Sequence, residues 1–209
     1  MRVQKAQTMT DKPVVEAFDF DGTLTHHDTL IPFLIDAAGP WKVSCSILKQ
    51  LPLMIGYFFG LSTRQQIKEG LLQNTIGGIP LEIVKEKGKE FARKKIRAKL
   101  KPEAMRKLQW HQNQGHRCIL VSANLDVYLE PWSQMEKLQD TLCSILQVDD
   151  KGRITGFLKG KNCRGEEKTK RLLALLGDRK SFILYAYGDS KGDKEMLEIA
   201  DFPFYRKFD

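Results

Sequence analysis

Cysteine is scarce in this chain, and its placement excludes a disulfide framework. Cys45, Cys118, Cys143 and Cys163 form no close pair and no metal-ligand spacing, so they read as free thiols of a reducing cytosol. No uninterrupted apolar run approaches the roughly 20 residues that a membrane-crossing helix needs. The most apolar stretch, Ile47 to Leu61, is broken by Lys49, Gln50 and Pro52. The N-terminus has no apolar stretch of the secretory-signal kind, only Arg2, Lys5, Asp11 and Lys12 among polar residues. A lead-in without fixed structure is expected over 1–12, with Met9 as a second candidate start. No internal repeat or low-complexity tract occurs. The formal charge of +8 favours anionic partners, yet no nucleic-acid motif or aromatic platform accompanies it, and no nucleic-acid partner is expected. Much of that charge lies between Lys85 and Lys101, interleaved with Glu86 and Glu90 at helical spacing. Leu81, Val84, Gly88 and Phe91 trace a single stripe there, so the charges describe a solvated helix face.

What is present suffices for one full core and a small satellite domain: 209 residues, 42% of them hydrophobic. The densest chemistry lies in Phe18-Asp19-Phe20-Asp21-Gly22-Thr23-Leu24-Thr25, directly after the apolar Val14-Val15. Alternation along an extended segment sends Asp19 and Asp21 to one side and Phe18 and Phe20 to the other. Two carboxylates held that close repel unless a cation lies between them. A hard divalent ion with oxygen ligands meets that need and attracts a phosphate that bare carboxylates would reject. The plain alternative is a polar strand end with an Asp-Gly turn.

Three further segments have the same character. Tyr187-Gly188-Asp189-Ser190-Lys191-Gly192-Asp193 follows the apolar run Phe182 to Tyr185 and again presents carboxylates at a strand-to-helix turn. Ile119-Leu120-Val121-Ser122-Ala123-Asn124 is an apolar strand ending in a hydroxyl, and Gly165-Glu166-Glu167-Lys168 opens an amphipathic helix, Thr169 to Leu176. In an open α/β sheet all four ends meet at one cleft.

In order and spacing these four motifs resemble the haloacid dehalogenase superfamily, in its phosphoserine phosphatase-like branch, over Val14 to Tyr205. The resemblance implies a magnesium-dependent phosphatase whose substrate is a small phosphorylated molecule. Asp19 is then the nucleophile that forms an aspartyl phosphate, and Asp21 the general acid and later base. Ser122 holds a phosphoryl oxygen and Lys168 offsets charge, with Lys161 as the alternative motif lysine. Asp189 completes the Mg2+ shell with Asp19 and the main-chain carbonyl of Asp21, and Asp193 is a further acidic ligand or support. Asp19 must be ionised to attack while Asp21 must start protonated, so the site has to drive two similar pKa values apart.

The expected fold is α/β: a doubly wound, mostly parallel sheet with an inserted all-helical cap. Nearly a hundred residues separate the first strand (Val14 to Phe20) from the second (Arg117 to Val121), far more than one crossover helix requires. The insertion reads as helices Leu30 to Ala38, Trp41 to Leu61, Arg64 to Gln73 and Leu81 to Leu100. The division is therefore 13–27 and 101–209 for the catalytic core and 28–100 for the cap. After it come a helix from Pro102 to Gln114, one or two helices from Leu125 to Leu138 broken near Pro131, and a last strand from Phe202 to Tyr205. Asp149-Asp150-Lys151-Gly152 marks a hairpin between Leu142 to Val148 and Arg153 to Phe157.

Substrate contacts are expected from Asp28, Ser122, Asn124 and Lys68. Asp28 matches the acidic position that phosphoserine phosphatases use for the substrate amine. No arginine matches their carboxylate clamp; Gln65 to Gly70 offers only Lys68, which lacks the bidentate fork. Two substrate classes stay open, a soluble metabolite and a membrane lipid headgroup phosphate. The second draws on the apolar 47–61 segment, which could dip into an anionic membrane surface with Trp41 and Tyr57 at the interface, and a similar cap occurs in the phosphatidylglycerophosphatase C relatives of this branch. The plain alternative makes that segment the cap's own core. A non-catalytic phosphate-binding module is the reading of another class, and Asp21 argues against it. The expected location is cytoplasmic, with a peripheral place on the inner membrane face under the lipid reading. Nothing in the sequence fixes an oligomeric state. His26-His27 read as loop residues near the cleft mouth, and His111 and His116 as structural.

Overall fold

The computed structural model describes residues 12–208; the lead-in expected over 1–12 and Met9 lie, Lys12 apart, outside them. Five strands form a wholly parallel sheet in the order β3-β2-β1-β6-β7: β1 Val14–Phe18, β2 Arg117–Leu125, β3 Asp140–Ser144, β6 Ile183–Gly188 and β7 Phe202–Tyr205. Helices alternate with the strands, as a parallel sheet requires. The central β1 reads VVEAF, and its last four residues are buried, as expected of a strand covered on both faces. Val15 and Ala17 join Leu172, Leu184, Ala186 and Met196 on one face. Phe18 joins Leu108, Leu120 and Tyr187 on the other.

Register then sets the site. Phe18 pairs with Leu120 and with Tyr187, so the residues beyond these three, Asp19, Ser122 and Asp189, fall within two positions of one shared edge. Asp19 N donates to Tyr187 O at 2.9 Å, which carries the pairing one residue further. It is the carboxyl edge of a parallel sheet, where such folds place their sites.

Between β1 and β2 the chain forms α1 Leu30–Ala38, α2 Pro40–Phe58, α3 Arg64–Thr75 and α4 Leu81–Phe91. The expected helix to Leu100 stops short, because α4 gives way to a wide π turn over Ala92–Ile96 and a 3-10 turn over Arg97–Lys99. α3 begins in a full capping box: Thr63 Oγ1 accepts from Gln66 N, and Gln66 Oε1 accepts from Thr63 N.

After the insertion, α5 Pro102–Asn113 precedes β2, and α6 Asp126–Met135 follows it. The break expected near Pro131 does not occur; α6 runs through it. Proline lacks the N–H that would bond to Val127 O, and that freed carbonyl faces α4 at Gly88, where a Cβ would fall 2.6 Å from Val127 C. Gly88 thus lets two helix backbones touch.

The hairpin differs from expectation too. Leu142 to Val148 is not one strand: β3 stays in the main sheet, and only β4 Leu146–Val148 pairs with β5 Ile154–Leu158. No Gly, Pro or charged residue stands between Leu142 and Val148, so nothing in the sequence marks the point after Ser144 where the chain leaves the sheet. Asp149 Oδ1 closes the turn by accepting from Lys151 N and Arg153 N, both at 2.9 Å. The hairpin ties the insertion down, with Leu158 N donating to Glu69 Oε1 at 3.1 Å. α7 Glu166–Leu176 and the short α8 Lys194–Glu198 complete the core.

Candidate active site

Beyond Phe18 the strand ends, and so does its alternation. Asp21 has φ −74° and ψ 125°, and Gly22 has φ +79°, so the chain coils, and the two carboxylates take different hydrogen-bond partners while the charge of Asp19 still acts on Asp21. Asp19 faces α7 and Asp193; Asp21 faces Thr29 and Asn124.

Asp19 is almost wholly buried. Its Oδ1 accepts from Lys168 Nζ, and its Oδ2 accepts from Thr23 Oγ1 at 3.2 Å. Lys168 Nζ also donates to Asp193 Oδ1 at 2.6 Å, so one buried ammonium joins two buried carboxylates. Of the two candidate lysines, Lys168 meets Asp19, and Lys161 is exposed on the preceding loop. Burial alone would lower the Lys168 pKa, but Asp19 and Asp193 raise it above its ordinary value. Burial raises Asp19 to about 6, against the opposing pull of Lys168. Burial also pushes Asp193 upward, and Lys168 outweighs it and holds Asp193 below the usual carboxylate range.

Asp193 Oδ2 accepts from Ser190 N at 3.0 Å and Ser190 Oγ at 2.9 Å, which folds the loop after β6 into a capping box. That loop brings Asp189 round, so that Asp19, Asp189 and Asp193 each present a carboxylate oxygen within 4.8 Å of the others. Gly22 makes the approach possible: with a Cβ there, Asp189 Cγ would lie only 2.6 Å away. This all-oxygen donor set, which among the described residues includes no imidazole or thiolate, fits a hard ion such as magnesium.

Asp21 has different partners. Its Oδ1 accepts from Thr29 Oγ1 at 2.8 Å and Thr29 N at 3.1 Å, and its Oδ2 accepts from Asn124 Nδ2. Burial, then the nearby charge of Asp28, raises Asp21 to about 8, although the Thr29 hydrogen bonds oppose this. At neutral pH the environment therefore keeps a proton on Asp21 that it does not keep on Asp19.

The remaining expected residues are placed as follows. Ser122 is buried at the end of β2, and its Oγ accepts from Asn124 N at 3.1 Å, which leaves its proton free to donate. Asn124 also reaches Thr29 Oγ1 at 3.1 Å, so its amide bridges Asp21 and Thr29. Lys68, from α3, donates to Ala123 O at 2.5 Å and Asn162 Oδ1 at 3.1 Å. Burial lowers Lys68 to about 8. Asp28 is exposed at the rim and accepts from Leu30 N at 2.9 Å, opening α1. Residues without an assigned role from sequence also take part: Thr23, Thr29, Lys101, whose Nζ donates to Gly22 O, and Arg206, whose Nε donates to Asp189 O at 2.7 Å. Thr23 stood inside the first motif; Thr29, Lys101 and Arg206 carried no spacing signal.

Known proteins share this arrangement of chain. "Protein CicA" of Caulobacter vibrioides is 34% identical over 200 residues, 96% of this chain and 89% of its own length. A crystal structure of a protein with unknown function from Bordetella pertussis Tohama I superposes with a TM-score of 0.69 at 24% identity, covering 90% of this chain and 86% of that one. A substrate-bound phosphoserine phosphatase superposes with a TM-score of 0.59 at 19% identity, covering 95% of each chain; both likenesses are of fold. The description haloacid dehalogenase-like hydrolase matches residues 17–198, and the chain belongs to that family of enzymes.

Proposed function

We propose that this protein is a magnesium-dependent phosphomonoesterase that works through a phosphoryl group carried on Asp19. The observation behind this reading is that two neighbouring carboxylates have different partners: Asp19 is paired with Lys168, and Asp21 is held by Thr29 and Asn124, where burial raises its pKa.

Asp19 would attack phosphorus, forming the bond from its carboxylate oxygen as the ester P–O bond breaks. Asp21 would give its proton to the departing alkoxide, so the alcohol leaves neutral. Ser122 Oγ and Lys168 Nζ would donate to the phosphoryl oxygens that gain charge. In the second half, Asp21, now a carboxylate, would take a proton from water as that water attacks phosphorus. The P–O bond to Asp19 breaks, and inorganic phosphate and the starting carboxylates are restored. Asp19, Asp189 and the carbonyl of Asp21 would hold the magnesium ion, with Asp193 fixing Lys168 and the Asp189 loop; the ion supplies charge that lets an anionic substrate meet an anionic nucleophile.

The substrate is a small phosphorylated molecule under this reading, with Lys68 and Asp28 at the mouth. A lipid headgroup phosphate is favoured by the exposed apolar end of α2. Asp19→Asn tests the nucleophile. It should abolish magnesium-dependent hydrolysis of para-nitrophenyl phosphate while leaving the thermal unfolding transition cooperative; retained turnover would reassign the nucleophile.

A further inference from the structure

Helix α2 leaves the body of the protein part-way along its length. Its buried positions are Val43, Ser46 and Gln50, and from Leu51 to Leu61 no residue is buried. Leu53, Met54 and Ile55 are consecutive, and at about 100° per residue they point around most of the helix. All three are exposed, which describes a helix end that protrudes rather than a flat face. Leu48, Leu51, Ile55 and Phe58 recur at spacings of three and four and so line one outer stripe; Phe59 and Leu61 extend it into the turn. Phe58 is 84% exposed, Phe59 75% and Leu61 82%, values at which a side chain touches almost nothing.

A water-facing stripe would ordinarily be charged. Here no Asp or Glu occurs between Asp36 and Glu69, whereas Lys42, Lys49 and Arg64 do. An apolar tip with basic and no acidic flanks complements an anionic lipid surface. A second copy of the chain fits less well, because it would set like charges against each other, and a narrow tip offers little area to bury. No helix among the described residues is long and apolar enough to cross a membrane, so the tip would enter one leaflet. Trp41 is about 25 Å along the helix axis from Phe58 and stands outside the tip, so the sequence-based pairing of Trp41 with Tyr57 at one interface is not kept.

The tip stands beside the cleft mouth. Arg64 Nε donates to Tyr57 Oη at 3.0 Å, and its guanidinium lies 5.2 Å from the centre of that ring. Next to Arg64, Gln65 Nε2 donates to Gly160 O at 3.2 Å and Gln65 Oε1 accepts from Asn162 N at 3.1 Å, which fastens this corner to the loop leading to Lys168. Arg164 and Lys191 belong to the loops that deliver Lys168 and Asp193, joined where Gly165 N donates to Gly192 O at 2.8 Å. A Cβ on Gly192 would fall 2.5 Å from Arg164 Cζ, so the guanidinium lies flat over that loop.

We infer that the end of α2 and its following turn, Leu48 to Leu61, form a docking surface for an anionic bilayer, which presents headgroup phosphomonoesters to the cleft. The docking half stands alone; the substrate half rests on the phosphomonoesterase reading.

The test uses the full chain with vesicles of phosphatidylcholine, alone or with about a third phosphatidylserine. The chain should pellet with the anionic vesicles and less so as salt rises. Ile55→Ser with Phe58→Ser should weaken pelleting by at least about ten-fold and leave para-nitrophenyl phosphate hydrolysis unchanged. Phosphatidic acid added to the same vesicles should be hydrolysed by the native chain and more slowly by that variant. A native chain that stays in the supernatant, pelleting that the variant does not alter, or a native dimer in equilibrium sedimentation that the variant dissolves, would each overturn the docking. Binding and aryl phosphate hydrolysis without phosphatidic acid hydrolysis would overturn the substrate half. Vesicle binding with no hydrolysis of either phosphate would overturn the phosphatase reading and leave the docking standing.

Discussion

Replacing Lys168 with methionine keeps the side chain's length and removes its charge. Lys168 is 2% exposed, and its ammonium is shared by Asp19 and Asp193, the latter at 2.6 Å. The substitution leaves two buried carboxylates facing each other with no cation between them. Removing one partner from a buried ion pair costs about 3–5 kcal/mol, and a loss of that size is expected in urea unfolding followed by circular dichroism with chelator present. Adding magnesium should recover part of it, since a cation bound only by the folded state replaces the missing charge. Turnover of para-nitrophenyl phosphate should fall about 10²–10³-fold, the usual cost of losing one charged or hydrogen-bonding contact to the transition state. The decisive comparison adds Asp193→Asn. If the cost comes from stranded charge, Lys168→Met with Asp193→Asn should be more stable than Lys168→Met alone, because one stranded carboxylate is gone. A Lys168→Met cost under about 1 kcal/mol, or a double variant less stable than the single, would refute the account of the site as a charge-balanced triad.

The four motifs were legible because each lies where a strand or helix ends, and chain ends at a sheet edge are fixed by apolar runs that sequence displays directly. Asp19, Lys168 and Asp189, which lie in one cluster with Asp193, could therefore be expected together from the sequence. The partners of Asp21 could not. They are Thr29 and Asn124, which are 8 and 103 residues from it. The sequence reading named Asn124 as a substrate contact; its hydrogen bonds to Asp21 and Thr29 carried no sequence signal. The continuous α6 was missed for a related reason. Pro131 reads locally as a breaker, and its cost is offset by Gly88, 43 residues earlier in the chain, whose lack of a side chain accommodates the freed Val127 carbonyl. The end of β3 was hidden because Leu142 to Val148 contains no Gly, Pro or charged residue to mark a break, although the chain changes sheets inside it. Glu16 escaped notice altogether. One acidic residue inside VVEAF resembles an exposed strand position, and only the two-sided burial of a central parallel strand makes it internal.

Two further outcomes follow from buried geometry. Gly22→Ala should leave the fold in place at a cost of about 1 kcal/mol or more, since alanine is strained at φ +79°. Its Cβ would displace the Asp189 carboxylate, so aryl phosphate turnover should fall at least about 100-fold and the magnesium requirement should rise; a wild-type magnesium titration would refute this. Glu16→Gln concerns stability. Glu16 Oε2 lies 2.9 Å from His111 Nδ1, which also lies 2.7 Å from His116 Nδ1, and His111 Nε2 meets Tyr187 Oη at 2.8 Å. Burial raises Glu16 to about 9 from an ordinary 4.5, and burial, then the charge of His116, lowers His111 to about 3 from 6.5, so both are neutral in the folded chain at pH 7. As pH rises from 4.5 towards 9, the unfolded chain gives up the Glu16 proton while the folded chain keeps it, and this group's contribution to stability drains away. As pH falls from 6.5 towards 3, the unfolded chain takes up a proton at His111 that the folded chain refuses, so stability falls in that direction too. The two oppose each other between 4.5 and 6.5, and above 6.5 Glu16 acts alone. Glutamine has no proton to lose, so the stability of Glu16→Gln relative to the native chain should climb steadily from pH 6.5 to 9. Urea midpoints at several pH values measure it. A difference that stays level across that window would mean that Glu16 is ionised in the fold and that the His111 contact is an ion pair.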